Sequence, residues 1–115
     1  MITHCHFDHT GGGAAVRKEI GCKTVAHKLE ALYLEQGDNI VTAAEWYDAE
    51  IEPFPVDVRL SQDKTDLQLG GRAITAIHAP GHSPGLTRSG AQLPAEARAR
   101  APALFSEEMI TSDCF

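Results

Sequence analysis

The segment Thr3–Gly12 constrains this chain most, because four side chains that commonly bind metal ions fall within six consecutive residues. Three of them are the imidazoles of His4, His6 and His9, and the fourth is the carboxylate of Asp8. Groups this crowded conflict with one another unless a cation organises them. The fold must therefore place this segment where a metal ion can be held.

The spacing within the segment predicts two neighbouring metal positions. In an extended backbone alternate side chains share a face, so His4 and His6 can reach one ion, and Asp8 continues that face. His9 breaks the alternation, so the backbone must leave the strand there, and the glycines at 11–13 make that turn easy. We expect His4 and His6 at one metal and Asp8 and His9 at the other.

The composition limits the classes of protein to which the chain can belong. A length of 115 residues with 43% apolar residues suits one globular domain. The formal charge of -6 disfavours nucleic acid as a partner, and no apolar run approaches the roughly 20 residues that span a bilayer. The N-terminus lacks the pattern of a secretory signal, and the three cysteines have no C-x-x-C spacing. We expect a cytoplasmic protein with a small-molecule substrate, and neither nucleic acid nor membrane as partner.

Two helices are predicted in the first third of the chain. Residues 14–20 have a helical pattern that Gly21 closes. An apolar stripe that includes Leu29 and Leu32 predicts the second helix, which ends at Gly37. Together with the strands described next, they suggest sheets covered by helices.

Strands and turns are predicted around and after these helices. A short strand is expected at 23–26, and the alternation of apolar and polar residues at 56–60 predicts another. A capping box at 42–45 predicts a short helix between them. Gly70–Gly71 marks a hairpin turn before the strand 72–79.

A further candidate ligand, His82, lies in the rigid turn Pro80–Gly85. Proline and glycine restrict the backbone on both sides, so His82 loses little conformational entropy when it binds a metal. We expect it to supply the third nitrogen at the first metal. His27 and His78 lie in segments that need no ligand role, and Cys5 points away from its neighbours in an extended backbone, so we expect these three to pack.

The two motifs together resemble the metallo-β-lactamase superfamily of metallo-hydrolases. The family pattern is His-x-His-x-Asp-His followed by a Pro-Gly-His turn, and this chain has both, at 4–9 and 80–82. Residues 26–30 and 56–77 also look like the glyoxalase II-type branch. The resemblance implies an α/β fold that is part of an αββα sandwich. It implies five metal ligands in these motifs: His4, His6, Asp8, His9 and His82.

The resemblance also implies a bridging carboxylate near the end of the chain. Ser112–Phe115 is similar to the family's Gly-Asp-x-x-Phe segment, which makes Asp113 the ligand that joins the two metals. Residues 104–108 resemble a Leu-Phe-Ser-Gly-Asp stretch, so Glu108 is a rival for that role. Asp113 is favoured because residues 109–111 can form a strand whose tip enters the site.

The resemblance does not cover a whole fold. Family members have one region before the histidine-rich motif and another after the bridging aspartate, including a last histidine ligand. We therefore expect residues 1–115 to be a single partial domain, incomplete at both ends. Residues 87–102 are atypical, because the family places an apolar strand after the turn and this stretch is rich in Ala, Arg and Pro. A helical insert, an irregular segment and a reading-frame error all fit that composition.

The implied activity is that of a zinc-dependent hydrolase, with two zinc ions in the complete protein and iron or manganese as alternatives. Metal binding lowers the pKa of water toward about 7, so that hydroxide attacks a thioester or similar carbonyl compound. Asp8 would orient this nucleophile or pass its proton to the leaving group. A lactone, a phosphodiester or a β-lactam ranks behind the thioester.

Two other functions fit the same residues. One is a catalytically inactive metal-binding fragment, which would associate with itself through exposed sheet edges. The other is a mononuclear iron dioxygenase of the same fold, with His4, His6 and either Asp113 or His82 as ligands.

Overall fold

The computed structural model describes residues 1–91, which form helices and two small sheets. In chain order the elements are α1 (Phe7–Thr10), α2 (Gly13–Ile20), β1 (Val25–His27), α3 (Lys28–Gln36), a 3-10 helix (Ala44–Tyr47), β2 (Val58–Leu60), β3 (Lys64–Leu69), β4 (Arg72–His78) and β5 (Thr87–Ala91). This mixture agrees with the expected α/β class. Residues 92–115, which include Glu108 and Asp113, lie outside the described residues. No helix within the described range is both long and apolar enough to cross a membrane.

The first sheet is a parallel pair of β1 and β2, and α3 is part of the connection between them. Val25 pairs with Val58 at the start of the register. α3 begins directly after His27, whose Nδ1 accepts a hydrogen bond from the Leu29 N–H at 3.3 Å. It ends at Gly37, which has a φ of 66° and closes the helix in the left-handed conformation. The predicted end of this helix is therefore confirmed.

The buried face of α3 differs from the predicted apolar stripe. Leu29 and Leu32 are 44% and 49% exposed, whereas Glu30, Ala31 and Leu34 are buried. Ala31 and Leu34 belong to a core cluster with five other buried residues: Cys5, Ala26, Ile51, Phe54 and Val56. The stripe is therefore wrong for Leu29 and Leu32, because the charged Glu30 occupies the buried face and interrupts the periodicity that predicts it. Its other member on the helix, Tyr33, is partly buried against the core.

The second sheet is antiparallel, with strand order β3-β4-β5. Gly70–Gly71 forms the turn between β3 and β4, as predicted, and Gly70 has a φ of 51°. β5 pairs with β4 from His78 opposite Thr87 to Ile74 opposite Ala91. A helical insert or irregular segment is therefore wrong for residues 87–91, because ladder hydrogen bonds to β4 hold them extended. The rest of 87–102 lies outside the described residues.

The N-terminal segment connects the two sheets. Ile2 donates a backbone hydrogen bond to the carbonyl of Val25 in β1, at 2.7 Å. The carbonyl of Thr3 accepts one from Thr87 in β5, at 2.8 Å. The histidine-rich motif begins at the next residue, His4, so it starts next to both β1 and β5.

The short helix predicted after the capping box is confirmed, but the box itself is not formed. The 3-10 helix begins after Ala43, which has a φ of 57° and makes no side-chain cap. Thr42 instead donates its hydroxyl to the carbonyl of Asp38, at 2.6 Å. The local turn over 38–42 therefore competes for the threonine that would have capped the helix.

Candidate metal centre

Three imidazoles converge where the histidine-rich segment meets the turn that follows β4. The ring centroids of His4, His6 and His82 lie 4.7 to 4.9 Å apart. One potential ligand atom from each residue lies within 4.8 Å of the other two, and residues 1–91 contain no second group of this kind. The structure therefore brings together the three residues expected at the first metal, although their role as ligands stays a prediction.

His4 is the buried member of this group, with 1% of its surface exposed. Its Nδ1 lies 3.1 Å from the hydroxyl oxygen of Thr3, which can either donate to this nitrogen or accept from it. In the tautomer whose Nδ1–H donates to the hydroxyl, Nε2 carries the lone pair that a metal ligand needs. Burial lowers the pKa of His4 to about 4, with smaller contributions from the neighbouring imidazoles. At neutral pH His4 is therefore uncharged and able to donate to a metal.

His6 and His82 face each other through specific nitrogens. Nδ1 of His6 lies 2.9 Å from Nε2 of His82, and the rings are nearly perpendicular, at 86°. Burial and the nearby His82 ring both lower the pKa of His6. Without a metal one of these two nitrogens must carry the proton that they share. A cation between the rings would replace that proton and bind both lone pairs.

Asp8 and His9 form a separate pair beside the three imidazoles. Nε2 of His9 lies 3.4 Å from Oδ2 of Asp8, and their side chains are 39% and 49% exposed. The His9 ring centroid is 4.2 Å from that of His4, so the two groups adjoin. The backbone turns earlier than predicted, because α1 begins at Phe7, directly after the extended residue His6. A helical turn, and not the glycines, separates Asp8 and His9 from the other ligands.

The donor set of the three histidines fits a divalent transition-metal ion. Two ligands of a tetrahedral zinc, each at about 2.0–2.1 Å, lie roughly 3.4 Å apart. Separations within 4.8 Å reach that value through small side-chain rotations. Neutral imidazole suits zinc and also iron. Three imidazoles would therefore suit a transition metal better than calcium or magnesium, and zinc and iron fit them equally.

The apolar half of the site comes from residues that sequence analysis did not assign to it. The cleft at the histidines has a volume of about 550 Å³, and its lining also includes Ile40, Val41, Trp46 and Tyr47. Trp46 is 88% exposed and Ile40 is 75% exposed. Large apolar side chains left open to solvent beside a polar centre are typical of a ligand-binding wall.

Glu30 is a buried charged residue that supports both ligand segments and that sequence analysis missed. It is 1% exposed and accepts hydrogen bonds from Cys5, Ser83 and Gly85. Burial alone raises the pKa of a carboxyl, but these hydrogen bonds outweigh it and hold the pKa of Glu30 below its ordinary value. In the sequence, the one sign of this role is that Glu30 lies on the same face of the predicted helix as Ala31 and Leu34.

The remaining histidines and Cys5 have the packing roles that were expected. The rings of His27 and His78 stack with centroids 4.1 Å apart and an interplanar angle of 11°. Nε2 of His78 also lies 2.9 Å from the carbonyl oxygen of Pro84, to which it can donate. Cys5 is 2% exposed, and burial raises the pKa of its thiol, which disfavours the thiolate that a metal would need.

The comparisons with known proteins point to one family. The model of the metallo-beta-lactamase superfamily matches residues 1–92. A probable metallo-hydrolase of Methanocaldococcus jannaschii is 34% identical over 83 residues, which cover 72% of this chain and 39% of that protein. The acyl-coenzyme A thioesterase MBLAC2 of Homo sapiens is 32% identical over 99 residues, covering 74% of this chain and 34% of that protein. The chain thus spans less than two fifths of the length of these relatives.

Parts of solved metallo-beta-lactamase structures resemble the fold of this chain. BJP-1, a subclass B3 enzyme of Bradyrhizobium japonicum, matches with a TM-score of 0.66 and 33% identity over 80% of this chain and 34% of that one. FEZ-1 from Legionella gormanii matches with a TM-score of 0.68 and 25% identity over 79% of this chain and 35% of that one. The expectation of a partial fold of this type is therefore confirmed.

Proposed function

This chain belongs to the metallo-beta-lactamase superfamily, and we propose that it carries the metal site of a zinc-dependent hydrolase that cleaves thioesters or similar carbonyl compounds. The observation that carries this proposal is the convergence of His4, His6 and His82 from two distant segments of the chain. The names of two relatives, a probable metallo-hydrolase and an acyl-coenzyme A thioesterase, support the same chemistry.

The proposal assigns particular atoms to the metals. Nε2 of His4, Nδ1 of His6 and Nε2 of His82 would hold the first zinc, and the pair of Asp8 and His9 would hold the second. Asp113, or its rival Glu108, would bridge the two metals from the part of the chain outside the described residues. When bound, the metals lower the pKa of water from 15.7 toward about 7 and polarise a carbonyl group.

Asp8 is the proposed catalytic residue. Its carboxylate lines the cleft and is 49% exposed, so an attacking water can reach it. A carboxylate in this position accepts a hydrogen bond from the water and orients it, then passes the proton to the leaving thiolate. The neighbouring His9, at 3.4 Å, limits the orientations that this carboxylate can take.

A thioester with an apolar acyl group is the proposed substrate. Four large apolar or aromatic side chains line the same cleft as the imidazoles and form its apolar wall: Ile40, Val41, Trp46 and Tyr47. An acyl chain that lies along this wall would place its carbonyl near the histidines. Each methylene that it buries contributes about 0.8 kcal/mol. A lactone, a phosphodiester or a β-lactam would gain less from such a wall.

A second candidate follows from the same three imidazoles. His4, His6 and His82 alone can hold one ion, which favours a mononuclear iron dioxygenase as the alternative. Metal content separates the candidates: two zinc ions per chain support the hydrolase, and one iron supports the dioxygenase. Bound zinc with no turnover would indicate a metal-binding fragment.

Two further proposals concern the surroundings of the protein. We propose that such a fragment associates with itself through exposed sheet edges. We also propose a cytoplasmic location.

The test combines metal analysis with a thioesterase assay. Protein purified without added metal is analysed for zinc and iron, and hydrolysis of acyl-coenzyme A is followed by release of the free thiol. His4→Ala should lose both zinc and activity, whereas His27→Ala is the control, because His27 contacts His78 and Leu29 but no proposed ligand. Equal losses in folded His27→Ala, or wild-type protein that retains no metal, would contradict the assignment.

A further inference from the structure

We infer that Glu30 is a positioning residue that sets the separation between the two metal-binding segments. The inference rests on the proposed function for its consequence, which is the affinity for metal. Its structural basis is independent of that function, because one buried carboxylate contacts both segments directly. Glu30 lies on α3, 25 residues from Cys5 and 55 residues from Gly85 in sequence.

Each oxygen of the carboxylate serves one segment. Oε2 accepts a hydrogen bond from the backbone N–H of Cys5, at 2.9 Å, between the ligands His4 and His6. Oε1 accepts from the hydroxyl of Ser83, at 2.8 Å, and from the backbone N–H of Gly85, at 2.6 Å. Cys5 lies between two proposed ligands, and Ser83 directly follows the proposed ligand His82. Movement of Glu30 would therefore move both segments.

Only a carboxylate of this length satisfies the three donors. Glutamine has a single acceptor oxygen, so its amide nitrogen would face the N–H of one partner as a second donor. Aspartate is shorter by one methylene and cannot keep both oxygens in place from the same helix position. No lysine or arginine pairs with Glu30 among the described residues, so hydrogen bonds and not an opposite charge compensate for burial of its charge.

Gly85 gives independent support for this role. A Cβ at residue 85 would lie 2.5 Å from Cγ and 2.7 Å from Oε1 of Glu30. The φ of Gly85 is not positive, so its backbone does not require glycine. The absence of a side chain here is what lets the carboxylate reach the backbone N–H.

The turn that holds His82 has few other long-range connections. Its other long-range hydrogen bond joins Nε2 of His82 to Nδ1 of His6, which are both proposed ligand atoms. Its backbone hydrogen bonds are local, from Gly81 and Leu86 to the carbonyl of Ser83 and from Ala79 to the carbonyl of Leu86. His82 itself is exposed. Among the described residues, Glu30 is therefore the side chain outside the proposed ligands that connects this turn to the histidine-rich segment.

The test compares Glu30→Gln with the control Glu35→Gln. Glu35 lies on the same helix and accepts hydrogen bonds from Val56 and Arg59, but it contacts neither metal-binding segment. Zinc affinity is measured by competition with a chromophoric chelator, and amide hydrogen exchange of the metal-free protein is measured at Cys5 and Gly85. We expect Glu30→Gln to weaken zinc binding by about 10- to 100-fold and to accelerate exchange at one or both amides. Glu35→Gln should change the affinity by less than about twofold.

Where the wild type binds zinc, unchanged zinc affinity in folded Glu30→Gln would overturn the inference. If that variant does not fold, Ser83→Ala removes one of the three hydrogen bonds, and affinity and exchange equal to wild type would overturn it equally. A merely structural role would lower the thermal stability of Glu30→Gln and leave the zinc affinity of the folded protein intact. If the wild type binds no zinc, the proposed function fails, and the exchange rates of the metal-free proteins still decide whether Glu30 holds both segments.

Discussion

Gly85→Ala tests how closely the turn after β4 packs against Glu30. The added Cβ would lie 2.5 Å from Cγ of Glu30, whereas ordinary van der Waals contact begins at 3.4 Å. The carboxylate or the turn must therefore shift by about 1 Å, since real atoms do not approach so closely. A shift of that size stretches the hydrogen bonds from Gly85 and Ser83, now 2.6 and 2.8 Å, beyond useful length.

The magnitude follows from these two effects. Overpacking of a buried site costs about 1–3 kcal/mol, and a hydrogen bond to a charged group contributes about 1.5–3 kcal/mol. The two terms overlap, because movement that relieves the clash is also what breaks the hydrogen bonds. We expect the free energy of unfolding to fall by about 3 kcal/mol, which lowers the melting temperature by roughly 10 °C.

Urea unfolding of Gly85→Ala and Gly81→Ala measures this difference within one turn. A Cβ at residue 81 would meet no atom within 4 Å, and neither glycine has a positive φ. Gly81→Ala should therefore stay within about 1 kcal/mol of the wild type. Equal unfolding midpoints for the two variants would refute the packing of Glu30 against the turn.

Three further predictions concern substrate, pH and core. Trp46→Ala should raise KM for a long-chain acyl-coenzyme A about fivefold and leave zinc content unchanged, since Trp46 lines the cleft without contacting a ligand; an unchanged KM would remove it from the substrate wall. The Arg17 guanidinium holds the pKa of Asp57 well below its usual range, so the ionised carboxylate stabilises the fold above about pH 4, and this stabilisation is lost as the pH falls further. In Asp57→Asn the free energy of unfolding should therefore depend less on pH below about pH 4; the same pH dependence in the variant and the wild type would contradict this. Leu34→Ala should cost about 2–5 kcal/mol in urea unfolding, and Leu32→Ala, at an exposed position, less than about 1 kcal/mol; the reverse order would restore the predicted stripe.

The sequence predicts those parts of the fold that depend on local chemistry. The glycines at 21 and 37 end helices in the left-handed conformation, and Gly70–Gly71 turns the hairpin between β3 and β4. For the glycines, the determining residues lie within a few positions of the feature. The grouping of His4 and His6 with His82 joins two distant segments, and it was predicted from the presence of both motifs.

The features that sequence analysis missed depend on contacts between distant segments. Glu30 looked like an ordinary helix charge, because its partners Ser83 and Gly85 lie more than fifty positions away. β5 forms through pairing with β4, although its own residues have little strand preference. Periodicity carries no information about such partners, so burial of Glu30 and the true face of α3 required the structure.

The coordination of zinc tests the central claim most directly. Zinc K-edge X-ray absorption of the chain loaded with one equivalent of zinc reports the number and kind of ligands. We expect three imidazole nitrogens at about 2.0–2.1 Å, and the loss of one of them in His82→Ala. A spectrum that is unchanged in His82→Ala, or that shows a cysteine sulfur at about 2.3 Å, would contradict it.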